Sequence, residues 1–112
     1  MSKSYYDCPI EATLEVIGGK WKASIVYYLA ESPKRFGELV ALLETCSARV
    51  LTKQLRELES AEIIARTYYP EMPPRVEYAL TTYGMTLLPI IHLICEWGES
   101  RLEKTGQRAV YN

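Results

Sequence analysis

Ser47-Ala48-Arg49-Val50-Leu51-Thr52-Lys53-Gln54-Leu55-Arg56-Glu57-Leu58-Glu59-Ser60 decides how the rest of the chain is read. Ser47 is a residue type that accepts hydrogen bonds from the unpaired amides of a first helical turn, and neither Gly nor Pro interrupts Ala48 to Ser60. At about 100° per residue, Leu51, Leu55 and Leu58 share one stripe, and Arg49, Lys53, Arg56 and Ser60 share the opposite one, with Thr52 at its edge. No acidic residue falls between Ser47 and Arg56. The first turns therefore carry positive charge only, beside a helix N-terminus that is itself positive. Such a helix buries one face and can offer the other to phosphates and base edges; taken alone, the stripe equally fits a solvated surface.

Working outward, Phe36, Leu39, Val40 and Leu43 repeat at helical spacing, which predicts a short amphipathic helix over Gly37 to Leu43. Two helices joined by a tight turn, the second with a cationic front, fit a helix-turn-helix. Downstream the period changes. Ile63 to Tyr69 and Val76 to Leu80 are rich in β-branched and aromatic residues and read as two strands. The turn between them, Pro70-Glu71-Met72-Pro73-Pro74-Arg75, is stiffened by prolines that cannot donate to a ladder. A hairpin after a helix-turn-helix is a winged helix. Arg75, on the edge of the tip, is placed for a flanking phosphate or a minor groove, or for a salt bridge to Glu71 or Glu77, and the two roles are compatible.

Two segments frame this unit. Upstream, Pro9 to Ile17 reads as a helix that stops at Gly18-Gly19, and Lys20 to Ala30 as a second, ended by Pro33; Lys34-Arg35-Phe36 can add an edge strand. Downstream, Thr81 or Thr82 caps a last helix that runs to about Lys104, with an interior kink expected at Pro89. Leu87, Leu88, Ile90, Ile91, Leu93, Ile94, Cys95 and Trp97 cover more than one face of it. A helix so covered is buried on two sides, one against its own domain and the other against a second copy of itself, joined by the first helix.

The bulk numbers agree with one domain over residues 1–112: 48% hydrophobic and 24% charged residues are ordinary for a globular chain. The net charge of −1 excludes a uniformly basic protein, so any nucleic-acid site has to be a local patch. Met1 to Asp7 has no apolar leader core, and no apolar run is long enough for a membrane span, so the protein is expected in the cytoplasm with no membrane partner. Cys8, Cys46 and Cys95, odd in number and widely spaced, are expected as thiols.

The segments Cys8-Pro9, Gly18-Gly19-Lys20-Trp21, Pro33 to Leu39, Leu51 to Glu59, Pro73-Pro74-Arg75-Val76-Glu77-Tyr78, Leu80-Thr81 and Trp97 closely resemble the HxlR-type winged-helix transcriptional regulators of bacteria and archaea. The resemblance spans about residues 8 to 104, leaving 105–112 as a tail. It implies a mainly helical fold with a small β-hairpin wing, dimerising through its N- and C-terminal helices, and a homodimer on a palindromic DNA operator. Two-fold related half-sites are then about 34 Å apart. On that basis Arg49, Thr52 and Lys53 are assigned to base edges, Ser47 and Arg56 to phosphates, and Arg75 to the wing contact. Some members of the family sense oxidants or electrophiles through a cysteine before the first-helix proline, and Cys8 matches that position. There the helix pole favours negative charge, whereas Asp7 and Glu11 oppose it.

Three other readings compete. A metal- or small-molecule-sensing winged helix would use His92 and Cys95, with Cys8 or Cys46 as a third ligand; no complete metal site is visible and no cofactor is called for. An enzyme lacks support, since there is one histidine, no glycine-rich phosphate loop and no nucleophile beside a base. A winged helix devoted to protein contact would leave the basic stripe idle.

Overall fold

The structure, a computed structural model, describes residues 5–109. Helix α1 (Pro9–Ile17) is followed by α2 (Lys22–Leu29), strand β1 (Lys34–Arg35), α3 (Phe36–Leu42), α4 (Ala48–Ser60), β2 (Ile64–Tyr69), β3 (Arg75–Leu80), α5 (Thr82–Met85) and α6 (Leu88–Thr105). The strands form one antiparallel sheet in the order β1-β3-β2, so β1 closes the outer edge of the hairpin, with Lys34 opposite Tyr78 and Arg35 opposite Glu77. This is a winged helix-turn-helix in which α3 and α4 are the helix pair and β2–β3 the wing.

The core lies where α2, α3, α4 and the base of the sheet converge: Ile25, Val26, Leu29, Leu39, Leu43, Leu51, Leu55, Leu58, Ile63 and Ile64 are all buried. Burial of each such aliphatic side chain is worth about 1.5–3 kcal/mol, so the leucine stripe alone sets the roll of α4 about its axis. Just past the end of this helix, the φ of 63° at Glu62 lets the Ile63 amide reach back to the Leu58 carbonyl at 3.0 Å and turns the chain directly into β2. At the far end of the sheet Thr81 joins three elements. Its hydroxyl donates to the Glu62 carbonyl (2.6 Å) and accepts from the Gly84 amide (2.8 Å).

The last helix differs from its sequence reading. Instead of one helix kinked at Pro89, α5 is a single turn capped by Thr81, and α6 begins anew with Pro89 in its first turn. A first turn has amides without intrahelical partners, so a residue lacking an amide costs nothing there, and the chain restarts rather than bends. The start of α2 also lies two residues later than expected, at Lys22, because Gly19 takes a left-handed φ of 81° and Lys20 and Trp21 complete the turn. No helix among the described residues is long and apolar enough to cross a membrane.

Gly84 is where α5 touches the sheet most closely: a Cβ placed on it would lie 2.0 Å from the Ile63 carbonyl oxygen. Backbone against backbone leaves no side chain to move aside. Gly84→Ala is therefore expected to destabilise the fold by about 3 kcal/mol, seen as a thermal midpoint lower by more than about 10 °C; a midpoint within a degree or two of the parent would contradict this packing.

Candidate nucleic-acid interface

The N-terminus of α4 is capped as its sequence suggested. Ser47 Oγ accepts from the Val50 amide at 3.1 Å, so the hydroxyl proton stays available to an outside acceptor such as a phosphate oxygen. With Leu51, Leu55 and Leu58 locked inward, Arg49, Lys53 and Arg56 emerge exposed on one outward face. Among the described residues, none of the three forms an ion pair. Thr52 lies at the edge, half-buried, and its hydroxyl donates to the Ala48 carbonyl at 2.8 Å. Outward it has only an acceptor oxygen and a methyl group left to offer. Gln54 is half-buried on the inner flank.

An open groove runs between this face and α1, lined by Glu15, Val16, Lys22 and the outward residues of α4. Its acidic residues are both engaged. Glu15 accepts the Tyr6 hydroxyl at 2.7 Å, and Glu57 pairs with Lys22 at 2.7 Å. The hydrogen bond from Lys22 holds the Glu57 carboxyl below the ordinary carboxylate range. The pair thus bolts α2 to α4 and gives a carboxylate that flanks the cationic stripe a cation of its own.

On the wing, Arg75 is held on several sides. Its Nε and Nη2 face the two carboxylate oxygens of Glu71 at 3.3 and 2.8 Å, its Nη1 binds Glu77, and its guanidinium lies over the Tyr69 ring at 3.8 Å from the centroid. The fork to Arg75 lowers the Glu71 carboxyl and raises the guanidinium further above its ordinary value. Of the two roles weighed for this residue, the salt bridge is formed, to both Glu71 and Glu77.

The three cysteines separate by environment. Cys8 is the N-cap residue of α1, exposed, with its side chain making no capping bond. Cys46 is buried just before α4, and burial pushes its thiol up, which keeps it protonated at neutral pH. Cys95 is partly buried and His92, three residues before it, exposed; among the described residues no three His, Cys, Asp or Glu side chains come together to hold a metal.

A family model described as HxlR-like helix-turn-helix matches residues 16–106. The chain belongs to the HxlR-like helix-turn-helix family. The uncharacterized HTH-type transcriptional regulator YybR of Bacillus subtilis (strain 168) is 50% identical over 93 residues, which is 83% of this chain and 74% of that one. Among solved structures, the redox regulator HypR in its oxidized form superposes with a TM-score of 0.82 at 47% identity, covering 92% of this chain and all (100%) of the other. Its reduced form gives 0.83 at 45% identity, over 88% and 98%. The protein is accordingly a transcriptional regulator of the HxlR type, built close to HypR.

Within this HxlR-type frame, two features beside the cationic face had escaped the sequence reading. Val50, 38% exposed, stands on the groove side of the cations and offers an apolar surface of the kind that meets a thymine methyl. Its helical phase was the signal, obscured by its being an apolar residue. Lys22–Glu57 gave no signal, since the pair is distant in sequence and needs the fold to form. For a carboxyl depressed by its partner, the stabilising contribution is present above the ordinary value of 4.5 and is lost as the pH falls through the lower folded value. Glu57 is 41% exposed, so Glu57→Gln is expected to lower stability at neutral pH by less than about 1 kcal/mol. Unfolding curves of parent and variant should converge in acid, and a gap that persists unchanged well below pH 4.5 would contradict the pairing.

Proposed function

We propose that this regulator works as a homodimer that binds duplex DNA of defined sequence at a palindromic operator, and that Cys8 couples binding to oxidants or electrophiles. The observation that carries the first part is the outward face of α4, on which Arg49, Lys53 and Arg56 are exposed together and unpaired among the described residues. Cations left free on the second helix of a helix-turn-helix release counterions when they meet phosphates, and the helix front is narrow enough for a major groove. Arg49 and Lys53 are proposed to reach base edges, with Thr52 as an acceptor or methyl contact. Ser47 and Arg56 bind phosphates, and Arg75 contributes from the wing. In this role the chain works in the cytoplasm and needs no catalysis, cofactor or membrane partner.

Support for the dimer comes from unpartnered apolar surface. On α6, Ile90, Leu93, Ile94 and Trp97 are 41%, 65%, 48% and 71% exposed, and on α1 Ile10 and Leu14 are 66% and 57% exposed. Spacings of three and four put the α6 residues on one stripe, turned away from Ile91, which is buried in the core. Exposed apolar stripes of this kind on a small chain call for a partner, and the α6 stripe of a second copy is self-complementary across a two-fold axis.

Cys8 sits at the start of α1, the helix that carries Ile10 and Leu14 into this proposed boundary. Its exposed thiol is open to attack chemistry. With a quinone, the thiolate adds to a ring carbon, one C–S bond forms and the thiol proton passes to the ring oxygen, so no other reactant is needed. A bulky adduct there would alter how two subunits meet. The likeness to a redox regulator supports this part.

Arg49→Ala combined with Lys53→Ala is expected to weaken band shifts on genomic operator fragments by about a hundredfold, near 3 kcal/mol. The salt dependence of binding should become shallower as well; unaltered binding would remove the assigned face. For Cys8, treatment with diamide or a quinone is expected to change operator binding by the parent protein and leave Cys8→Ser unaffected. Equal responses of the two proteins would exclude the thiol.

A further inference from the structure

The wing has a charge arrangement that DNA binding by α4 does not need. Arg35 lies opposite Glu77 in the β1–β3 register, Arg75 lies two residues before Glu77 on β3, and Tyr69 lies opposite Arg75 on β2. Residues directly opposite, or two apart on one strand, share a face of a sheet. Arg35, Glu77, Arg75 and Tyr69 therefore occupy one face, and Glu71 closes over Arg75 from the turn. With Glu71 included, the two arginines and two carboxylates sum to zero charge.

We propose that the Nε–Nη2 edge of Arg75 is a phosphodiester site that the protein's own Glu71 carboxylate fills in the free state. The geometry is that of a fork. Two nitrogens on one edge of the guanidinium meet two oxygens of one carboxylate at 3.3 and 2.8 Å, and the same edge fits two oxygens of a phosphodiester, which has the same single charge. The remaining contacts of Arg75 are the ones that would keep the site in place: Glu77 on Nη1 and the Tyr69 ring beneath. Arg75 is only 22% exposed, whereas Glu71 is 53% exposed and sits on the tip, where it can swing into solvent. When a phosphate takes its place, Glu71 leaves and the face holds two arginines and one carboxylate, a net positive surface toward the new anion.

This exchange rests on the reading that the chain binds DNA, and it makes a separate prediction. Binding a phosphate releases a counterion from DNA, while the freed Glu71 acquires one. The exchange then adds nothing to the salt dependence of the native protein, and affinity at the wing is held down by the resident carboxylate. Removing that carboxylate unmasks the contact.

The test is the salt dependence of binding to a random-sequence duplex of about 30 base pairs, because phosphate contacts do not depend on sequence. Parent, Glu71→Gln, Arg75→Ala and the double variant are compared. Glu71→Gln is expected to bind about 3–10-fold more tightly at low salt, with a log–log salt slope steeper by about 0.9 for each wing engaged. The double variant should lose both changes. Arg75→Gln in the same background replaces Arg75→Ala if loss of the stack on Tyr69 unfolds the hairpin, and the same cancellation is expected. A gain that survives without Arg75 would show simple removal of negative charge and overturn the proposal, as would a Glu71→Gln protein that binds like the parent. Failure of every protein to bind DNA would overturn the DNA-binding reading and this proposal with it; binding by the parent with no response to Glu71→Gln would overturn the proposal alone.

Discussion

Everything on the cationic face depends on how firmly the leucines behind it are held. Leu51, Leu55 and Leu58 are 0%, 1% and 0% exposed. A helix has one rotational degree of freedom about its axis, and burying a stripe of three leucines removes it. Arg49, Lys53 and Arg56, about half a turn away, are then forced outward. Core packing and surface chemistry in α4 are thus one constraint seen from two sides, and truncating a leucine would cost the cations their aim as well as about 2–5 kcal/mol of stability.

Charge is managed differently on α4 and on the wing. Beside α4, Glu57 is paired with Lys22 and Glu15 accepts the Tyr6 hydroxyl, and among the described residues Arg49, Lys53 and Arg56 form no ion pair. On the wing the reverse holds, with Arg75 enclosed by Glu71 and Glu77. An overall charge of −1 conceals this separation, which is why local placement rather than net charge carries the functional meaning.

Much of the fold was legible because it rests on local rules. The Ser47 cap, the leucine spacing, the proline at the start of α1 and the period change after Ser60 each act within a few residues, and each element appears where those signals lie. Pro89 was misplaced for a related reason: a proline inside an apolar run reads as a kink, yet the Thr86 hydroxyl, donating to the Tyr83 carbonyl at 2.6 Å, helps to end the preceding turn and lets a new helix start. Three-dimensional partners were the illegible part. The sequence offered Glu71 and Glu77 as partners for Arg75 but not the fork, the stack on Tyr69 or the approach of Arg35, and it held no hint that Lys22 reaches Glu57.

In the proposed dimer the apolar stripes of α6 and α1 hold two copies of α4 at a fixed separation, which a change at Cys8 is proposed to alter. The measurement that addresses this most directly is hydroxyl-radical footprinting of a genomic operator saturated with the protein. A dimer so built predicts two protected tracts on one face of the duplex, with centres one helical turn, about 10 base pairs, apart. A single protected tract, or two tracts on opposite faces, would contradict it.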